Sequence, residues 1–173
     1  MGSYYYLIAS LPELKADGGM PITYSEFLTC CESNVSEEEF ELLKNLTLSS
    51  KEGPLVREWS TFYRALTGEM NFQRSLKLGR TYTTPYDKDG FMAQIVDFAL
   101  AAKNPLESER ILLDYEFRNL DLLIGPHMFD EEALFGYAIK LRLLERLTSF
   151  EHEKGKAEFE SLFDGIQQRV YSM

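Results

Sequence analysis

Few of the residue types that serve in metal binding or nucleophilic catalysis occur in this sequence. Its 173 residues include two histidines and two cysteines. Neither His127 nor His152 has a glutamate three residues before it, which excludes the Glu-x-x-His pairs of di-iron helical bundles. Cys30 and Cys31 are adjacent and cannot readily link separate parts of a fold, so we expect a reducing compartment and a buried structural thiol. No metal or cofactor is expected.

Long apolar runs and an excess of basic charge are also missing. The richest apolar stretch, LDLLIG at 120–125, contains Asp121 and is much shorter than the roughly 18–20 residues that span a bilayer. The first lysine, Lys15, follows the first apolar run, unlike the basic region of a signal peptide. We therefore expect a cytoplasmic protein without a membrane span. The net charge of −10 argues against nucleic acid as the main ligand, because phosphate binding depends on Lys and Arg.

The remaining signatures of enzymes are weak. Gly18-Gly19 lacks the Gly-x-x-x-x-Gly-Lys spacing of a phosphate-binding loop and predicts a turn. Glu131-Glu132 lies at a predicted helix start, where the helix dipole favours acidic residues without any acid–base role. We therefore expect a protein that is not an enzyme.

What the sequence does contain is helical periodicity in nearly every segment. It predicts an all-α helical bundle of about seven to eight helices. Thr23-x-x-Glu26 and Ser36-x-x-Glu39 have the spacing of capping boxes and predict two short helices. Pro54 is expected at a first helical position. The later helices are predicted to start after Asp89, Asn104 and Asp130 and to end near Gly79 and Gly125.

Some predictions concern interruptions and boundaries. Gly68 is expected to weaken one helix, and Gly155 to interrupt the last. The stretch RTYTTPYDKD at 80–89 is typical of a loop, so we predict an N-terminal helical part at 1–80 and a C-terminal part at 81–173, in one domain or as two small lobes. Apolar positions continue nearly to the last residue, which suits either a portion of a longer protein or a short native C-terminus: Phe159, Leu162, Phe163, Ile166 and Val170.

The N-terminal stretch YYYLIASLPEL could be a targeting segment, a flexible tail or a docked helix. Tyr4, Leu7, Ile8 and Leu11 have the i, i+3, i+4, i+7 spacing of one helical stripe, which ends before Pro12. We therefore predict a docked helix whose tyrosines bury their rings and leave their hydroxyls solvated or hydrogen bonded.

Two stretches depart from this pattern. The first, REWSTFYRALTGEMNFQRSLKLGR, concentrates positive charge on one helix of an acidic chain and is a candidate partner-binding surface, although a solvated helix face is the alternative. Its cations are Arg57, Arg64, Arg74, Lys77 and Arg80. The second, ERILLDYEFRNLDLLIG, places polar residues on a largely apolar helix, and we predict an internal polar network of Arg110, Asp114, Glu116, Arg118 and Asn119.

A family resemblance enters with these stretches. YYYLIASLPEL, WSTFYRALTGEMNFQRSLKLG, LDYEFRNLDLLIG and FDEEALFGYAIKLRLLERLTSF resemble an uncharacterised family encoded beside the genes of bacterial V-type ATP synthases. The chain is also distantly similar to a component of those enzymes that is known as d in eukaryotes, an all-helical protein with three similar lobes. That component forms a socket between the membrane rotor ring and the central stalk. The resemblance implies a mechanical or assembly role without catalysis.

Two hypotheses follow. The first is a non-catalytic peripheral component or assembly factor of a V-type ATP synthase, on the cytoplasmic face, which contacts the central stalk or rotor ring and takes part in proton or sodium ion transport. The alternative is a small helical enzyme or ligand-binding bundle with a pocket lined by Tyr4, Tyr5, Trp59 and Arg118.

Overall fold

The computed structural model describes residues 4–81 and 89–171, except the side chains of residues 154, 159, 163 and 166–171 in the last helix. Within these ranges there are seven helices and no strand, which confirms the all-α class. The helices are α1 (Tyr5–Ser10), α2 (Tyr24–Cys31), α3 (Glu37–Lys44), α4 (Val56–Lys77), α5 (Gly90–Leu100), α6 (Pro105–Ile124) and α7 (Glu131–Tyr171).

Most helix starts are those that the sequence predicts. In α2 the Thr23 hydroxyl accepts from the Glu26 amide, and the Glu26 carboxylate accepts from the Thr23 amide at 2.7 Å. Ser36 and Glu39 form the same capping box at the start of α3. The side chains of Asp89 and Asn104 cap α5 and α6, respectively. Both capping boxes are confirmed.

The start of α4 differs from the prediction. Pro54 does not occupy the first helical position; it lies in a turn, and the helix begins at Val56 after Leu55, whose φ is +61°. The turn buries Leu55 and Val56 in the core. Gly53, with φ +123°, permits the turn, because a Cβ there would lie 3.0 Å from the Phe135 ring. Packing against α7 therefore moves the helix start by two residues.

Neither glycine predicted to disturb a helix interrupts one. The helix α4 runs through Gly68, and α7 is one helix of 41 residues that continues through Gly155, so the predicted break is wrong. A single glycine costs a helix only about 1 kcal/mol relative to alanine, which the helix-forming neighbours Lys154 and Lys156 offset. The total of seven helices follows from this continuity.

The larger core joins α1, α2, α3, the first turns of α4, and the facing sides of α6 and α7. Trp59, Phe27 and Phe135 are fully buried in it. The Tyr137 hydroxyl donates to the Pro12 carbonyl at 2.9 Å, which attaches the chain after α1 to α7. The Tyr24 hydroxyl donates to the Leu43 carbonyl at 2.7 Å and joins α2 to α3.

A smaller core lies between the second half of α4 and helices α5 and α6. Its buried members are Leu66, Met92, Val96, Ala99 and Leu112. Phe62 of α4 packs against both cores. The helix α4 therefore contributes to both, although it precedes the boundary predicted near residue 80. That boundary stays a prediction, and most of its loop, residues 82–88, lies outside the described residues.

The N-terminal helix is docked, as predicted. Tyr4 and Leu7 are buried, and the Tyr4 hydroxyl donates to the Glu39 carboxylate at 2.6 Å. The prediction is wrong for the next two tyrosines. Tyr5 is 50% exposed and packs against Phe129, and Tyr6 is 84% exposed, because both fall on the outer face of a helix barely two turns long.

The second half of α7 has little packing. Every side chain described from Glu151 onward is exposed, including Leu162. The other predicted apolar positions of this half, Phe159, Phe163, Ile166 and Val170, lie outside the described side chains. In the part of the chain that the structure describes, none of the helices has the length and apolar character to cross a membrane.

Candidate functional site

The outward face of α4 and the segment just before it form a groove of about 660 Å³, which we call the cationic groove. Three cations line it: Lys51, Arg57 and Arg64. The rest of the lining is small, polar or apolar and carries no acidic side chain: Leu48, Ser49, Ser60, Thr61, Tyr63, Thr67, Gly68 and Asn71.

Two features of the sequence place these cations together. Arg57 and Arg64 are seven residues apart, two turns of α4, and so project from the same face. Trp59 is fully buried beneath that face, and its indole N–H donates to the Leu48 carbonyl at 3.2 Å. This contact attaches the segment before the helix to α4 and brings Lys51 to the edge of the groove.

The cations of the groove have no internal counter-charge. Lys51, Arg57 and Arg64 are exposed, and none forms an ion pair with any residue in the described ranges. The hydroxyls of Ser60 and Thr61 donate to the Arg57 carbonyl, at 2.8 and 3.1 Å. The strongest donors that face a ligand here are therefore the three cations. Each of the four other cavities described contains a carboxylate.

The five predicted cations do not form one surface. Arg57 and Arg64 share the cationic groove, whereas Arg74 lines a separate cavity of about 190 Å³ between α4, α6 and α7. Lys77 lies in the last turn of α4 and Arg80 follows the helix; both are exposed, and Lys77 is well placed to interact with the helix dipole. Lys51 was missed by the sequence analysis, because nothing in its neighbourhood indicates that it folds back against α4.

The predicted internal polar network is wrong in all but one position. Glu116 is buried, but Arg110 pairs with Glu151 at the surface, and Arg118 pairs with Asp114, also at the surface. Asn119 is half-buried, and its side-chain oxygen accepts no hydrogen bond from the described residues. The exposed face of α6, not its interior, carries most of this set.

The partner of Glu116 is Arg146 of α7, which the sequence analysis missed. The guanidinium donates two hydrogen bonds to the two Glu116 oxygens, at 2.9 and 2.6 Å. Burial raises the pKa of Glu116, and Arg146 opposes this rise. Burial works to lower the pKa of Arg146, but the hydrogen bonds and charge of Glu116 outweigh it and raise that pKa above its usual value. An arginine in an otherwise apolar stretch of α7 was the available signal.

The pocket of the alternative hypothesis is not formed. Trp59 is fully buried, and Tyr4 is buried against Glu39, so neither ring lines an accessible cavity. Tyr5 packs on Phe129 at the surface. Arg118 lines a groove of about 650 Å³ beside the 11–17 segment, with none of the three aromatic residues in its lining. The four residues lie in separate environments.

One group of side chains has the composition of a cation site. Donor atoms of His127, Asp130 and Glu132 lie within 4.8 Å of one another at the start of α7. Asp130 already accepts from the Ala133 amide and pairs with His127. The positive end of the helix dipole opposes a cation at this point. The arrangement is that of a helix cap with a histidine partner.

The two cysteines differ. Cys31 is a buried free thiol, as predicted, whereas Cys30 is exposed. Burial, and then the neighbouring Cys30, raise the pKa of Cys31 to about 12, so its thiol is protonated at neutral pH. Such a thiol is a poor nucleophile.

Comparisons with known proteins add no identification: no family model, curated protein or solved structure matches this chain. The residues and their geometry are therefore the basis for a functional hypothesis.

Proposed function

We propose that this chain is a non-catalytic component or assembly factor of a V-type ATP synthase, which binds the central stalk or the rotor ring through the cationic groove. The observation that carries the binding role is the set of three cations without internal counter-charge, on a chain whose net charge is −10. The choice of complex comes from the resemblance of the sequence stretches given above.

A protein partner suits this groove for electrostatic reasons. An acidic chain repels most acidic proteins at long range, whereas a local positive surface attracts a partner that presents negative charge at that place. The groove therefore favours a specific orientation of binding. Arginine is also a common contributor to protein interfaces, since its planar guanidinium forms two hydrogen bonds to one carboxylate.

The lining of the groove gives no support to catalysis. It contains no histidine, cysteine, aspartate or glutamate, so no side chain there is suited to act as a general base at neutral pH. Ser60 and Thr61 direct their hydroxyl protons to the helix backbone and have no activating partner among the described residues. A binding role is the simpler account of this surface.

The test is co-elution with the separate parts of the complex. The whole chain is mixed with the soluble sector of a V-type ATP synthase and, separately, with its detergent-solubilised rotor ring, and each mixture is analysed by native mass spectrometry at low and moderate salt. We expect binding to one of them that weakens with salt and is reduced at least tenfold by Arg57→Glu with Arg64→Glu.

The matched control is Lys103→Glu, since Lys103 is exposed and lies outside the groove. It changes the net charge but should leave binding within about twofold of the unmodified chain, because distant exposed charges are screened. A folded chain that binds neither part of the complex would rule out the proposed role. Equal weakening by all three charge reversals would remove the groove as its site.

A further inference from the structure

The geometry of the cationic groove points to the kind of partner segment that it binds: an acidic helix laid along α4, with carboxylates two turns apart. This inference deepens the proposed function and rests on it for the partner's identity, because it concerns the same surface. Its chemistry can be tested separately.

The spacing of the two arginines is the first argument. Arg57 and Arg64 are seven residues apart, so they lie about 10 Å apart along the axis of α4. A helix packed nearly parallel or antiparallel to α4 returns to the same face every seven residues. Carboxylates seven residues apart on such a helix therefore meet both guanidinium groups at once. This separation also favours an elongated ligand over one small anion.

The residues around the arginines permit a close approach. Ser60, Thr61 and Thr67 are small, and Gly68 has no side chain, so the surface between and beyond the arginines is low. Helix axes approach most closely where the facing side chains are small. The Ser60 and Thr61 hydroxyl protons are engaged by the Arg57 carbonyl, which removes competing donors from the middle of the groove.

The two edges of the groove complete the match. Leu48 and Tyr63 offer apolar surface, which suits the aliphatic side chains that flank carboxylates on an amphipathic helix. Lys51 adds a third cation beside the helix. Because the lining has no carboxylate, no acidic group opposes the negative charge of such a partner.

The probes are two capped, fluorescently labelled helical peptides of 21 residues with identical Ala/Gln/Glu composition. One carries three glutamates at seven-residue intervals, on one face, and the other carries them at five-residue intervals, around the helix. Fluorescence anisotropy with the whole chain at low salt measures Kd. We expect the seven-residue peptide to bind at least tenfold more tightly, Arg57→Glu with Arg64→Glu to abolish that advantage, and Lys103→Glu to preserve it.

Three results would overturn the inference: no binding of either peptide, equal binding of both, or binding of the seven-residue peptide that ignores the arginine reversals. Preferential binding to phosphatidylglycerol vesicles would also overturn it, in favour of a membrane surface. The two proposals fail separately. If the ATP synthase binds the chain but the peptides do not, the acidic helix is excluded; if the seven-residue peptide binds but the complex does not, the choice of complex is excluded.

Discussion

At the scale of single residues, two ion pairs of α6 show how burial decides what a charge contributes. Glu116 and Arg146 form a pair in which the carboxylate side chain is 2% exposed. Asp114 and Arg118 form a pair on the same helix with side chains 54% and 76% exposed. An exposed pair contributes little because water solvates its charges, whereas removal of one partner from a buried pair leaves a charge without solvent or counter-charge.

This contrast gives a prediction with a built-in control. Arg146→Met should lower the free energy of unfolding by about 3–5 kcal/mol, because Glu116 then stays buried without its cation. Arg118→Met should lower it by less than about 1 kcal/mol, since the pair that it breaks is exposed. Urea unfolding followed by circular dichroism measures both changes.

The double substitution Glu116→Leu with Arg146→Leu sharpens the test. It removes both charges and should recover a large part of the stability that Arg146→Met loses. Similar effects of Arg146→Met and Arg118→Met would show that the buried pair has no special role.

The sequence indicated one member of this pair and not the other. Glu116 stands on a helix with an apolar face, which favours burial, but its partner is 30 residues away on another helix. Local spacing predicted partners within α6 instead, and it found the pair of Asp114 with Arg118 correctly while placing it inside the molecule. Which face of a helix is covered depends on the helices that pack against it, and spacing within one helix does not contain that information.

At the scale of helices, the two capping boxes look alike in sequence but differ in structure. Glu26 bonds only within its own cap, whereas Glu39 also accepts from the buried Tyr4 and so ties α1 to α3. Burial acts to raise the pKa of Glu39, but the hydrogen bonds from Ser36 and Tyr4 outweigh it, so that pKa lies below its usual value.

Glu39→Ala should therefore destabilise the protein more than Glu26→Ala. Both lose a cap, but only the first leaves the Tyr4 hydroxyl without an acceptor, at a cost of about 1–3 kcal/mol. Urea unfolding at neutral pH compares the two variants. In Tyr4→Phe the difference between them should shrink, because there is no hydroxyl left to satisfy. Equal losses from the two alanine variants in the unmodified background would contradict this account.

The start of α7 gives a pH dependence. The hydrogen bond with Asp130 raises the pKa of His127 above its usual 6.5; partial burial opposes this, and the charges of Asp130 and Glu132 add to it. A histidine whose pKa is raised by folding contributes its stability below pH 6.5 and loses it as the pH rises through the folded-state pKa. The urea midpoint of the unmodified chain should therefore fall from about pH 6 to pH 8, relative to His127→Gln at the same pH. Parallel curves for the two proteins would show that His127 does not contribute.

Helix ends illustrate where sequence reasoning succeeds at this scale. Thr23, Ser36 and Asn104 cap helices with contacts to residues within one turn, and all three caps were predicted. The start of α4 depends instead on Leu55 and Val56 packing under α7, and Pro54 gave the wrong position. Local chemistry sets the first kind of boundary, and tertiary packing sets the second.

At the scale of the whole molecule, the sequence predicted the class of fold and part of the candidate site. Arg57 and Arg64 were identified as candidates and share the groove. Arg74 was grouped with them by charge alone, but ten residues at about 100° each carry it to another side of the helix than Arg64. Lys51 joins the groove only because Trp59 anchors the preceding segment, a contact that no local pattern announces.

The relation between the two cores is also a property of the whole molecule. Trp59 belongs to the larger core and Val96 to the smaller, and α4 contributes to both. If shared packing on α4 couples the cores, they unfold together. If the chain instead consists of two lobes divided near residue 80, a change in one core leaves the other unaffected.

The single tryptophan makes this testable. Val96→Ala removes buried methyl groups from the smaller core and should cost about 1–3 kcal/mol. In a coupled molecule it should shift the urea midpoint of Trp59 fluorescence as far as the midpoint of circular dichroism. Phe98→Ala, on the same helix but 66% exposed, should shift neither by more than a small amount. A Val96→Ala change that leaves the Trp59 transition unmoved would establish two independent lobes, with the second half of α4 assigned to the C-terminal one, because Leu66 would then unfold with Val96.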